Sequence, residues 1–190
     1  VFAAISIILY IVPALNLALP IFPMFLKIHF DEIPAFIAGF AYGPLSAVFV
    51  VVVKTLVKLP MSNTACVGEL ADLIYSLAFV LPATFIYRRN KKMKTVIKAF
   101  TISIIIQVVV ASLLTTFVML DFYVSFMGLP KEAILSMCQA INPAISDLTW
   151  PFLFMVALPF NALKDVLVAI VTIILYKRLH KFIDKFAQKN

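Results

Sequence analysis

Pro159-Phe160-Asn161-Ala162-Leu163-Lys164-Asp165 puts an amide, an ammonium and a carboxylate in the middle of an apolar stretch that runs from Trp150 to Tyr176. A helix rising about 1.5 Å per residue over that stretch crosses a bilayer core of roughly 30 Å, so the three polar side chains fall at membrane depth. Asn161 and Lys164 are three apart and share one helix face, while Asp165, four from Asn161, flanks it. Ionisable groups at this depth face a bundle interior or a cavity and by default mark a functional site. Two readings are open. Asn161 and Lys164 either bind a ligand, or Lys164 and a carboxylate form a structural pair that only locks helices together.

Composition sets the solvent. The 190 residues are 64% hydrophobic with a mean hydropathy of +1.08, against an apolar share of roughly 45 to 50% in soluble domains. An all-α membrane protein, one integral domain over 1–190, fits this length. The net charge of +7 does not point to nucleic acid, because its distribution is that of a membrane protein. Arg88, Arg89, Lys91, Lys92, Lys94 and Lys98 crowd one short connection, and Lys177, Arg178, Lys181, Lys185 and Lys189 crowd the C-terminus. Both clusters flank apolar spans, which places them in the cytoplasm, with anionic lipid within reach of the tail. Cys66 and Cys138 have no metal-type spacing and are expected as free thiols.

The chain opens at Val1 in an apolar run to Leu19, expected to begin inside the first helix and not read as a signal peptide. Pro20, Pro23 and Pro34 forbid a continuous helix over 19–34, so a long, aromatic-rich loop is expected there, placed as a lid. From Ile33 to Leu59 one kinked helix or two short ones fit. Gly43-Pro44 is a strong breaker and favours two. Ala35, Gly39 and Gly43 form a small-residue stripe suited to internal helix packing. Lys54 and Lys58, four apart, are expected to snorkel to the interface. Pro60 to Glu69 is a polar connection into the span 70–87. Glu69 and Asp72 begin that helix, where they either complement its dipole or accept hydrogen bonds from a polyol. A span over 96–122 carries Gln107, Ser112, Thr115 and Thr116. An amphipathic piece over 131–140 follows, then Asp147 and the interfacial Trp150. The result is a six-transmembrane-helix bundle with a long first external loop, and with both termini and the basic connection inside.

Several chemistries find no support in the sequence. None of Gly39, Gly43, Gly68 and Gly128 belongs to a phosphate-binding G-x-x-x-x-G-K loop, so ATP hydrolysis is not expected of this chain. His29 and His180 lack second ligands at metal spacing and are expected as surface residues. No catalytic constellation of Ser, His and acid lies at membrane depth, so neither catalytic residues nor a metal site is assigned.

Taken together, Phe22-Pro23-x-Phe25-Leu26-Lys27-x-x-Phe30-Asp31-Glu32-x-Pro34, then Gly43-Pro44, then Pro159-Phe160-Asn161-x-x-Lys164 resemble the riboflavin-specific substrate-binding subunits of energy-coupling-factor vitamin transporters. The likeness spans nearly the whole chain with the motifs in order. It implies a six-helix bundle in a bacterial plasma membrane that captures a vitamin from outside, with the first loop as its gate. It also implies partners, a transmembrane coupling subunit and two cytoplasmic ATPase subunits, and riboflavin as transported ligand with no cofactor. By this resemblance Asn161 and Lys164 hold the flavin ring, and Thr115 stands where relatives carry an asparagine that meets it. The chemistry agrees, since Asn161 donates and accepts and Lys164 donates to a carbonyl. From position alone, Thr64, Glu69 and Asp147 are candidates for the ribityl hydroxyls at the external mouth. The alternatives are the same architecture with a pyridoxine- or pantothenate-type vitamin, and a channel or structural membrane protein.

Overall fold

The computed structural model describes residues 1–187, with side chains as far as Arg178. Of the C-terminal basic cluster, Lys177 and Arg178 are exposed; Lys181, Lys185, Lys189 and His180 lie outside the described side chains. The described residues are mainly helical apart from the first loop and the connections between helices. Helices α1 (Phe2–Ile11), α2 (Glu32–Tyr42), α3 (Pro44–Lys58), α4 (Val67–Arg89) and α5 (Met93–Leu114) are followed by α6 (Leu120–Ser125), α7 (Lys131–Gln139), α8 (Trp150–Phe152) and α9 (Leu158–Ala187). Between α1 and α2 the loop closes on itself through a two-residue antiparallel ribbon, β1 (Leu17–Ala18) with β2 (Lys27–Ile28), in which Leu17 faces Ile28.

Four stretches are long and apolar enough to cross a membrane: Pro44–Met61, Val67–Arg89, Met93–Ser125 and Trp150–Arg178. Large apolar side chains such as Leu45, Phe49, Ile105 and Ile170 point outward from them. A helix that is apolar on its outer face as well as its inner one needs a lipid environment. Helices α1 and α2 are apolar but shorter, 10 and 11 residues.

Gly43-Pro44 is a break between helices. Gly43 has φ +100°, a region open to glycine, and Pro44 starts α3 where its missing N–H is not needed. Pro34, expected at the end of the loop, sits in the first turn of α2 for the same reason. The small-residue stripe is divided in its use. Gly39 lies against α3 and α4, where a Cβ would run into the Thr84 methyl and stand 2.9 Å from Ala47 Cβ, whereas Gly43 has nothing within 4 Å.

Two cores hold the bundle. The first packs Phe36 and Phe40 of α2 edge-on or tilted against Phe79, Tyr87 and Phe100, with centroids as close as 4.6 Å. It ends in a buried hydrogen bond of 2.7 Å between the Tyr87 and Tyr176 hydroxyls. The second gathers Ile134, Cys138, Ile145, Phe152 and Phe160 around α7 and the start of the last span. Phe22 seals the loop onto it with an edge-to-face contact on Phe160 at 5.3 Å. Cys66 and Cys138 are free thiols, as expected. Gly39→Ala is expected to lose about 1 to 3 kcal/mol by overpacking the α2–α3–α4 contact, measured as a lowered thermal unfolding midpoint in detergent.

Candidate functional site: a cavity beneath the first loop

A cavity of about 230 Å³ lies under the loop, between α1, α4, the α5–α6 junction and α9. Phe25, Leu26, Lys27 and His29 form its loop wall, and Tyr10, Asp72, Tyr75, Thr115, Met119 and Tyr123 line its sides. Phe160, Asn161 and Lys164 come from α9. A second cavity of about 300 Å³, almost wholly apolar, adjoins it under α7 and shares Phe25, Leu120 and Tyr123.

Two π-helical segments shape this end of the bundle. Thr115–Met119 joins α5 to α6 and Leu153–Ala157 joins α8 to α9, and the two pack against each other. A π segment shifts the residues after it relative to an α-helix, and such segments concentrate at functional sites. Here Thr115, Met119 and Ala157 all reach the cavity wall.

The polar groups at the cavity's inner end have a fixed sense. Asn161 Nδ2 donates to Ser112 Oγ at 3.1 Å and to the Ala157 carbonyl at 2.9 Å. A carbonyl only accepts, so the amide nitrogen must face Ala157, and Asn161 Oδ1 is left as an acceptor for the cavity. Lys164 Nζ donates to Glu32 Oε1 at 2.8 Å. Glu32 is its one hydrogen-bonding acceptor among the described residues, which leaves two N–H groups for a ligand. Thr115 Oγ1 and the Tyr75 hydroxyl are 3.1 Å apart on the wall.

Lys54 does not snorkel, contrary to the sequence expectation. It is fully buried, bonded to Asp31 Oδ2, to Asp72 Oδ2 at 3.0 Å and to Ser76 Oγ at 2.8 Å. All three of its donors are matched within the protein, so Lys54 is a structural lysine and Lys164 is the available one. Asp31 and Glu32, quoted in the sequence only as part of a family motif, were given no role there and prove to be the partners of Lys54 and Lys164. Their signal was two adjacent carboxylates at a helix start beside a membrane interior that holds two lysines. Asp165 is buried with neither oxygen bonded to a described residue, and it does not line the cavity.

The remaining candidates stand apart. Glu69 Oε2 accepts from Ser62 at 2.6 Å and Thr64 at 3.0 Å, organising the turn before α4 in which Ala65 and Cys66 have positive φ. Thr64 borders the apolar cavity under α7. Asp147, off both cavities, pairs with Lys131 at 2.9 Å, and this contact with the Leu148 N–H and the Thr149 hydroxyl holds its carboxyl below the usual range. The structure therefore brings together Asn161, Lys164 and Thr115, and leaves Thr64, Glu69 and Asp147 outside the polar cavity. His29 is not a surface residue. It is half-buried on the cavity wall, tilted on the Tyr10 ring at 5.9 Å.

Nearly the whole chain matches one family model. Residues 1–176 fit the ECF transporter, substrate-specific component, and the chain belongs to that family. It is therefore a substrate-binding subunit of a membrane transporter, not an enzyme, and membership implies association with the rest of an ECF assembly. Among its relatives is the riboflavin transporter RibU of Staphylococcus aureus (strain TCH60), 28% identical over 180 residues, covering 95% of this chain and 88% of the relative. The riboflavin transporter FmnP of Bacillus subtilis (strain 168) is 24% identical over 188 residues, covering 97% and 93%. A solved structure, described as the S component of a bacterial ECF transporter, superposes with a TM-score of 0.71 at 28% identity, covering 95% of this chain and 92% of that one.

Removing Lys54 leaves the buried Asp31 and the partly buried Asp72 without their counter-ion. Lys54→Met is expected to cost about 3 to 5 kcal/mol, read as a large drop in the thermal midpoint of the detergent-solubilised protein. Burial pushes the His29 imidazole down to about 4, against roughly 6.5 in an unfolded chain. Between these values the unfolded state takes up a proton that the native state does not, so stability falls as pH drops from about 6.5 to 4. Thermal midpoints followed over that interval should fall less steeply in His29→Gln.

Proposed function

We propose that this protein captures riboflavin on the outer face of a bacterial plasma membrane for import by an energy-coupling-factor transporter. One observation carries the reading. At the inner end of a cavity of vitamin scale, an acceptor fixed by its neighbours, Asn161 Oδ1, stands one helical turn from the two available N–H groups of Lys164. The pyrimidine edge of a flavin alternates carbonyl acceptors with an imide donor. Asn161 Oδ1 receives the imide N–H and the Lys164 ammonium donates to an adjoining carbonyl, with the Thr115 and Tyr75 hydroxyls beside them. The flat apolar remainder of the ring lies among Phe25, Leu120, Met119 and Phe160. The ribityl hydroxyls meet Tyr10, His29 and Asp72 on the wall. That two relatives are named riboflavin transporters supports the choice of vitamin.

The topology that goes with this function counts α1 and the α2 segment with the four long stretches as six membrane segments of a single domain. Both termini and the basic connection 88–98 lie inside by the distribution of Lys and Arg. The first loop then lies outside and covers the cavity. Energy comes from a transmembrane coupling subunit and two cytoplasmic ATPases. Riboflavin is cargo, and no cofactor is required.

Protein purified in detergent without added vitamin is expected either to release riboflavin on unfolding or to quench the fluorescence of added riboflavin saturably, at one ligand per chain. A preparation that does neither overturns the choice of vitamin. Asn161→Ala and Lys164→Ala should each weaken binding by about 1 to 3 kcal/mol, the scale for leaving a buried hydrogen-bond partner unmatched. Unchanged flavin affinity in both would overturn the site.

A further inference from the structure

We infer that Glu32, which does not itself line the cavity, is a positioning residue for ligand capture: it aims the Lys164 ammonium and links it to the foot of the first loop. The inference rests on the flavin reading of the cavity and adds a residue to it. The geometry starts one position earlier. Asp31 is held by the fully matched Lys54 through its side chain, and its backbone carbonyl accepts from Ser6 Oγ at 2.6 Å. This double hold fixes the entry into α2. Glu32 is the first residue of that helix, 1% exposed, and its Oε1 takes one N–H of Lys164 at 2.8 Å.

The contrast with Lys54 indicates what the pair is for. A lysine kept only to neutralise buried carboxylates has its donors matched, as Lys54 does with three acceptors. Lys164 has one acceptor among the described residues and is itself part of the cavity lining, which leaves two N–H groups without a described acceptor. A lysine side chain has about 2 kcal/mol of rotamer freedom, and holding it in place before a ligand arrives removes part of that cost from binding. Glu32 does this from behind, outside the set of residues that touch the cavity. Because Glu32 directly follows Asp31, the anchor that ends the loop also sets the position of the carboxylate that aims the lysine.

A residue that acts through Lys164 loses its influence when Lys164 is gone, whereas a residue that merely supports the fold does not. The experiment is a double-mutant cycle on the full chain in detergent, with riboflavin affinity read by fluorescence quenching for the parent, Glu32→Gln, Lys164→Met and the pair. Glu32→Gln is expected to weaken riboflavin binding about tenfold in the parent and less than about twofold in the Lys164→Met background. Equal losses in both backgrounds, or no loss in the parent, would overturn the role of Glu32 while leaving the flavin site intact. A parent protein that binds no riboflavin overturns the flavin reading itself and this inference with it. If Glu32→Gln fails to fold, Glu32→Asp keeps the charge and shortens its reach by one methylene. The same cycle then applies, with a smaller loss expected in the parent and none in the Lys164→Met background.

Discussion

Two adjacent carboxylates at the start of α2 reach lysines on two different helices, and the packing around the first loop depends on that arrangement. Asp31 turns to Lys54 of α3, and Glu32 to Lys164 of α9. A buried charge without a partner is too expensive to keep in a membrane interior, so these pairs fix how α2, α3 and α9 meet. They also fix the end of the first loop, because Asp31 is its last residue. Asp72 and Ser76 bring α4 into the same network through Lys54. With the bond from Ser6 of α1 to the Asp31 carbonyl, one dipeptide thus ties α2 to four other helices and to the first loop.

The two lysines show how one side chain takes different roles at similar depth. Lys54 meets three acceptors and has nothing left to offer. Lys164 meets one and faces a cavity. The amide beside it is oriented by a hydroxyl and a carbonyl that take both of its N–H groups, which leaves an acceptor next to a donor at the inner end of the cavity. Such a pair suits a planar ligand edge on which acceptors and donors alternate. The aromatic and aliphatic walls suit a flat, largely apolar body. The π segments at 115–119 and 153–157 border this place and contribute Thr115, Met119 and Ala157 to its wall.

Much of this was legible in the sequence. Long apolar stretches, Gly43-Pro44, the prolines of the loop and the interfacial Trp150 located the spans and their breaks, because they act through local backbone geometry and through transfer to lipid. Asn161 and Lys164 were legible for the same kind of reason: polar groups in the middle of an apolar helix carry their own cost and so declare a purpose. Thr64, Glu69 and Asp147 were placed by position along the chain, and the structure keeps them off the polar cavity. Glu69 closes a local turn, and Asp147 pairs with Lys131, contacts that local spacing does not reveal.

The sequence by itself determined that the protein lives in a bilayer, roughly where its helices start and stop, and which α9 residues face inward. Each of those properties is set by a residue and its near neighbours. Only the tertiary structure decided the partners: that Lys54 is buried and fully matched, that Glu32 stands behind Lys164, that His29 joins the cavity wall, and that Tyr87 meets Tyr176. The residues of each such contact lie far apart along the chain, 132 positions in the case of Glu32 and Lys164. A helix periodicity states which face is buried but not what that face will touch, so charge pairing at this distance is settled only when the helices pack.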